Sequence, residues 1–138
     1  MANLERLSFT IEAPLLEKLE RLLADGDYKN RSEFIRDMVR SKLVEEEWEK
    51  DEQALGTITL IYNHETRALS DRLTDLQHSH HELVLATTHV HLDRHLCAEM
   101  IMMKGRAHEI RAMADRIRQQ KGVLHAALSM SSTGKSLA

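Results

Sequence analysis

The sequence predicts an α+β chain in two modules: a strand followed by two helices, then an antiparallel βαββαβ sheet with both helices on one face. Three observations lead there. Residues 4–11 alternate between apolar and polar, and two stretches of helical period follow them. From residue 54 onward, strand-like and helix-like segments succeed one another in the order βαββαβ. Between the two patterns, residues 45–53 (EEEWEKDEQ) are charge-rich and read as a frayed helix end passing into a solvated hinge, with Trp48 as a packing anchor.

In LERLSFTI, Leu7, Phe9 and Ile11 fall on one face and Arg6, Ser8 and Thr10 on the other, the mark of a short, half-buried strand. A helix follows, with Pro14 in its first turn and Leu15, Leu16, Leu19, Leu22 and Leu23 at helical spacing, ended by Asp25-Gly26. A second helix begins near Asn30-Arg31-Ser32, where Asn30 and Glu33 suit a capping-box variant, and its apolar face is Phe34, Ile35, Met38, Val39 and Leu43. One strand and two helices cannot stand alone, because the strand's backbone groups lack a ladder and so short a segment buries too little surface. An intertwined dimer, with two copies of the strand paired antiparallel over four helices, answers both needs.

In the second module, ALGTITLIYNH reads as a strand, and ETRALSDRLTDLQHSH as a helix with Leu69, Leu73 and Leu76 inward. ELVLATTHVHL and CAEMIMMKG read as a strand pair around Asp93-Arg94-His95, AHEIRAMADRIRQQKG as a helix ending at Gly122, and VLHAALSM as a last strand. This order is that of a ferredoxin-like sheet. Met100, Met102, Met103 and Met113 lie at core-compatible spacing. The expected boundaries are 1–47 for the first module, 48–53 for the linker, 54–131 for the second module and 132–138 for a disordered tail.

Composition bounds the function. The net charge is −3, and residues 1–50 carry nine Lys/Arg against twelve Asp/Glu, so any nucleic-acid contact depends on local placement of basic groups. No apolar run approaches a membrane span, and MANLERLSFT lacks the features of a secretory signal, so a cytoplasmic protein is expected. One cysteine excludes an internal disulfide and leaves a thiol for metal or redox chemistry.

That cysteine closes a run, HSHHELVLATTHVHLDRHLC (78–97), which holds six of the nine histidines. His89 and His91 share one face of a strand. If the turn is centred on Arg94, His91 faces Cys97 and His89 faces Glu99, all on one side of the sheet. Two imidazoles and a soft thiolate are transition-metal donors, and Glu99 is placed to accept a hydrogen bond from one imidazole. A fourth ligand must come from elsewhere. His80, His81 and His95 read as solvent-facing or as a secondary site; His64 reads as structural or exposed, with an alternative metal site as its other role; His108 and His125 read as surface or packing residues.

Together the two modules resemble the nickel-responsive regulator (NikR) family of repressors. The first resembles a ribbon-helix-helix DNA-binding domain through its R-x-S-x-T strand and N-R-S-E-x-I-R-D helix start, and the second an ACT-type domain carrying H…HVH…C. The resemblance covers about residues 4–131. It implies His78, donated by a neighbouring subunit, as the fourth ligand beside His89, His91 and Cys97, with one Ni(II) per subunit in a homotetramer. Three imidazoles and a thiolate in a plane suit Ni(II) or Cu(II), whereas zinc prefers a tetrahedron. The residues alone do not choose nickel; the family does. It also implies repression of nickel-uptake genes and an accessory cation at Glu33 and Asp37.

The DNA face follows from the ribbon. Two paired strands fit the major groove, where Arg6 suits guanine through its bidentate fork and Ser8 and Thr10 are permissive hydrogen-bonders. Asn30, Arg31 and Ser32, at a helix start, suit a phosphate. Operator DNA and further copies of the chain are thus the expected partners, with no membrane and no small organic substrate. An enzyme is disfavoured because no general base stands beside a nucleophile. An antitoxin of the same N-terminal type is disfavoured because residues 54–131 have a core pattern of their own, and a regulator responding to another transition metal stays open on the residues.

Overall fold

The computed structural model describes residues 3–138; Met1 and Ala2, the first residues of the expected N-terminal module, lie outside the described residues. The chain divides into two compact units, the described residues up to Leu43 together with Ser136–Ala138, and Val44–Lys135.

In the first unit, helix α1 (Ala13–Asp25) carries Pro14 in its first turn, where an amide donor is not needed, and buries Leu23. Helix α2 (Arg31–Glu49) starts where the sequence predicts. Asn30 Oδ1 accepts the Glu33 amide at 2.9 Å, satisfying one of the donors left over at a helix start. Phe34 is buried and meets the Tyr28 ring edge-on at 5.1 Å. Residues 3–12 form no strand in the single chain, and Leu7 and Phe9 are 84% and 64% exposed, so the expected half-buried strand is not buried here. Among the described residues of the single chain this segment has neither a ladder nor a cover.

Two boundaries differ from the expected ones. Helix α2 does not fray at residue 45 but runs to Glu49, and its last turns belong to the second unit. Trp48 is fully enclosed there, donating its indole N–H to the Ser131 carbonyl at 2.8 Å, so residues 48–53, expected as a linker, lie inside the second unit ahead of β1 (Gln53–Asn63). Residue 132 likewise extends the last strand instead of opening a disordered tail.

The second unit places α3 (Leu69–Ser79), β2 (Val84–His91), β3 (Leu96–Arg106), α4 (Ala107–Arg118) and β4 (Val123–Ser132) after β1. The strands form one antiparallel sheet in the order β2-β3-β1-β4, the ferredoxin-like arrangement. Ala54, Ile58, Leu60 and Tyr62 of β1 and Cys97, Ile101 and Met103 of β3 pack with Leu69 and Leu73 of α3 and Ile110, Met113 and Ile117 of α4. Both helices therefore cover one face. Gly56 is part of this face, and a Cβ there would stand 2.8 Å from Ile110 and 3.2 Å from Trp48. Met103 and Met113 are core as expected, but Met100 and Met102 are 48% and 39% exposed. Strand alternation turns them to the other face, which has no second layer in one chain.

The short connection after α2 is fixed by Asp51, whose φ of 56° is in the left-handed region that Asp and Asn tolerate. Its carboxylate accepts the His108 amide at 2.7 Å and the His108 ring N–H at 2.7 Å, capping α4. The hydrogen bond from the His108 amide leads in holding the Asp51 carboxyl below the usual range, with the His108 ring and Arg106 adding to it. A depressed folded-state pKa gives stability that is present above the unfolded value and lost as pH falls through the folded one. Asp51→Asn keeps the shape and removes the charge. It is expected to lower the melting temperature by a few degrees at pH 7, and the gap between the two proteins should close as pH falls below about 4. Thermal unfolding followed by circular dichroism across that range checks it.

Candidate metal centre

Strands β2 and β3 are joined by a tight turn in which the Leu92 amide donates to the Leu96 carbonyl at 2.8 Å, and Asp93 Oδ1 accepts the amides of His95 and Leu96, each at 2.8 Å. The turn sets the register: His91 pairs with Cys97 and His89 with Glu99, as a centre at Arg94 requires. Strand β1 adds Tyr62 beside Cys97 and Leu60 beside Glu99. One row thus holds Tyr62, Cys97 and His91, and the next holds Glu99 and His89. All lie on the helix-covered side of the sheet, at its β2 edge.

Burial divides these groups. Cys97 is fully enclosed and donates its thiol hydrogen to the Tyr62 carbonyl at 3.5 Å; burial pushes its pKa up, which keeps the proton on sulfur. Glu99 is only 8% exposed, and burial raises its pKa too, while His89 and a hydrogen bond from Gln77 pull it back. Its Oε2 is buried without a hydrogen-bond partner. His89 and His91 are exposed at the rim. The His89 Nδ1 lies 3.5 Å from the Tyr62 hydroxyl, whose own pKa is raised by burial and by Glu99.

The imidazoles form a row. His91 meets His89 at 5.3 Å between ring centroids and His64, edge-on, at 5.2 Å. His64 in turn places Nε2 2.6 Å from the Arg94 carbonyl. His64, Tyr62 and Gln77 are thus part of the patch although the sequence did not assign them to it. Tyr62 was visible as a member of a period-two strand, but its position beside Cys97 depends on the β1–β3 register.

His78 is exposed on the last turn of α3, on the side of the helix opposite Leu69, Leu73 and Leu76. Among the described residues, no three His, Cys, Asp or Glu side chains come close enough together to hold a metal ion. The patch nevertheless fits a soft divalent ion chemically: a thiol, two imidazoles and an unpartnered buried carboxylate oxygen share it. One chain does not close it, because Cys97 and His89 turn to Tyr62 and His78 faces away.

The other histidines are sorted by their contacts. His80 is half-buried, and both its nitrogens are engaged, Nδ1 2.9 Å from the Leu76 carbonyl and Nε2 accepting from Arg116 at 3.0 Å, leaving no nitrogen for a metal. His95 lies 3.2 Å from Glu65, and His81 and His125 are exposed.

In the first unit, Arg6, Ser8, Thr10 and Ser32 are exposed. Asn30 uses Oδ1 for the helix cap, and Arg31 is paired with Glu20. Asp37 accepts the Tyr28 hydroxyl at 2.8 Å and lies 3.9 Å from Arg40. Glu33 and Asp37 both line a cleft of about 500 Å³ together with Leu4, Tyr28, Arg36 and Arg40. No helix among the described residues is long and apolar enough to cross a membrane.

Comparison with known proteins adds to this geometry. The family described as "NikR C terminal nickel binding domain" matches residues 55–131, and the "Ribbon-helix-helix protein, copG family" matches residues 5–46. A relative from Geobacter metallireducens named "Putative nickel-responsive regulator" is 45% identical over 138 residues, 99% of each chain. A relative of the same name from Pyrococcus abyssi is 45% identical over 136 residues, 98% of this chain and 99% of its own. The fold is similar to that of an uncharacterized protein from Thermotoga maritima, with a TM-score of 0.51 at 15% identity, over 57% of this chain and 98% of that one.

Proposed function

This chain belongs to the nickel-responsive regulator family, transcription regulators and not enzymes, and from that premise we propose that it represses nickel-uptake genes when Ni(II) occupies a site of three histidines and one cysteine. The ligands are His89, His91 and Cys97 of one subunit and His78 of a neighbouring copy, with one Ni(II) per subunit. The observation that carries this reading is the β2–β3 register, which sets two imidazoles opposite a buried thiol and a buried carboxylate with an unpartnered oxygen.

His78 facing away from its own patch supports the sharing of sites between chains. The uncovered face of the sheet, with Val90, Met100 and Met102 exposed, supports a homotetramer built on these domains. The exposed Leu7 and Phe9 support intertwined pairing at the N-terminus, which sets Arg6, Ser8 and Thr10 in a two-stranded ribbon for the major groove. Asn30, Arg31 and Ser32 then meet phosphate, Asn30 through its amide nitrogen and Arg31 by exchanging Glu20 for the backbone. An accessory cation at Glu33 and Asp37 displaces the Tyr28 hydroxyl from Asp37. The regulator acts in the cytoplasm, where its operator is.

Bound Ni(II) supplies the positive charge that lets the buried Cys97 sulfur persist as a thiolate. The chain's own residues do the remainder. Glu99 orients His89, Tyr62 gives up its contacts with Cys97 and His89, and a His78 from another copy ties two subunits together. A ligand that binds one arrangement of chains better than the others shifts the population toward it, which is how a shared site reports metal to the DNA-binding pairs.

Fluorescence anisotropy on a promoter fragment, with and without stoichiometric Ni(II), tests the proposal. DNA affinity that rises with the metal supports it, and equal affinity with and without Ni(II) sinks it. Glu99→Gln is expected to weaken nickel affinity about 10–100-fold while leaving one ion per subunit, because it removes the carboxylate that orients a ligand. A competition titration against a chelator of known affinity measures the change.

A further inference from the structure

A cleft of about 590 Å³ opens between α4, the α3–β2 connection and the end of β3 remote from Cys97. Leu83, Gly105 and Met113 are its buried lining. A Cβ on Gly105 would stand 2.5 Å from Leu83 Cδ1 and 3.1 Å from Glu109 Oε2, so the missing side chain lets the Glu109 carboxylate lie over the apolar floor. Farther along α4, Arg116 donates from Nη1 to His80 Nε2 at 3.0 Å, and His80 is itself held, with Nδ1 2.9 Å from the Leu76 carbonyl. That contact orients the guanidinium and leaves its other N–H groups available. Lys104 and Glu82 complete the charged lining, which thus balances two cations against two anions. Among the described residues, none of these four groups makes an ion pair.

We propose that this cleft binds a small zwitterion of dipeptide length, its ammonium on Glu109, its carboxylate on Arg116 and its apolar middle against Leu83 and Met113. A balanced lining with no internal ion pair disfavours a simple anion or cation, which one pair of charges attracts and the other repels. Glu109 and Arg116 are seven residues apart on one helix, so they share a face, roughly 10 Å apart along the axis. Their side chains lean the same way, which preserves that spacing. A charge-assisted hydrogen bond of about 2.8 Å at each end leaves roughly 5 Å between the ligand's own charges. An extended chain advances about 3.5 Å per residue, so two residues span the gap and a single α-amino acid is too short. The cleft's volume suits a small molecule, and its lining includes no Ser, Thr or Cys to attack the occupant, which marks a ligand and not a substrate. The site was not legible in the sequence because its charges come from three separate elements.

Isothermal titration calorimetry of the metal-free full chain with alanyl-leucine tests the site. Saturable binding is expected, weakened about tenfold or more when the dipeptide is N-acetylated or C-amidated, because each block removes one charge-assisted hydrogen bond. Free leucine, too short to reach both ends, should bind about tenfold more weakly as well. Glu109→Gln is expected to weaken the free dipeptide about tenfold and to become indifferent to N-acetylation, while Arg116→Gln becomes indifferent to C-amidation. A merely structural role for either residue would not produce that matched loss. Both side chains are exposed, so the variants should fold, and circular dichroism checks this. If Arg116→Gln fails to fold, Glu109→Gln and the blocked dipeptides decide. No saturable binding up to about 10 mM dipeptide, or equal binding of the blocked forms, overturns the site. A variant that keeps the full penalty for its matching block overturns the placement of the ligand's ends. Neither nickel nor DNA enters the titration, so its failure is distinct from failure of the proposed function.

Discussion

Cys97→Ala is expected to remove the nickel-dependent part of DNA binding and the thiolate-to-metal charge-transfer absorption, while leaving the fold in place. The sulfur is the soft donor of the set and the one ligand buried out of water, so no solvent molecule replaces it without reopening the core. Loss of an outer group that only orients a ligand costs about 10–100-fold in metal affinity, so loss of the ligand itself should cost at least about 100-fold. The structural cost is small by comparison. The side chain is small and makes one weak hydrogen bond, to the Tyr62 carbonyl at 3.5 Å, so destabilisation should be on the order of 1 kcal/mol. Circular dichroism then reports a folded protein in which nickel titration produces no charge-transfer band and no anisotropy change on the promoter fragment. Normal nickel-dependent binding in the variant would mean that Cys97 is only an enclosed small side chain, and that the metal sits elsewhere along the row of His64, His91 and His89.

Why this part of the site was legible in the sequence, and other parts were not, comes down to the distance over which each feature is determined. The hairpin register follows from a short turn, so pairing His91 with Cys97 and His89 with Glu99 needed only the centre of the loop and a period of two. Tyr62 joins through pairing between β1 and β3, across α3 and β2, and nothing local fixes which residue of β1 stands beside Cys97. Met100 and Met102 show the same limit. Alternation separates them from Ile101 and Met103, yet whether a face is covered depends on what packs there. The N-terminal segment is the opposite case, since its alternation is plain and yet residues 3–12 form no strand in the single chain. The contacts of His80 are not legible locally because its two partners, the Leu76 carbonyl and Arg116, come from different elements. The charge of residues 45–53 reads as a solvated hinge, yet Trp48 among them, legible as a packing anchor, belongs to the core.

Trp48→Ala is expected to be among the most destabilising single changes in the chain. The side chain is 3% exposed, part of the same cluster as Ile58, Ile101 and Ile110, with the Arg111 guanidinium 5.5 Å over its ring. Deleting a buried tryptophan side chain costs about 3–5 kcal/mol, from lost transfer energy and the cavity left behind. The space should not collapse easily, because Gly56 opposite has no side chain with which to fill it. For a unit of this size, a loss of that order lowers the melting temperature by roughly 15 °C or more. Trp48→Phe separates volume from hydrogen bonding. It keeps most of the ring but leaves the Ser131 carbonyl without its donor, so it should cost about 1–2 kcal/mol. Glu49→Ala, one residue along and exposed, should stay within about 0.5 kcal/mol. Thermal unfolding followed by circular dichroism ranks the three. A solvated hinge would give three small shifts of similar size. A helix end built into the core gives one large, one intermediate and one negligible, and with it a mechanical consequence: motion of α2 at Trp48 cannot occur without disturbing the sheet that carries His89, His91 and Cys97.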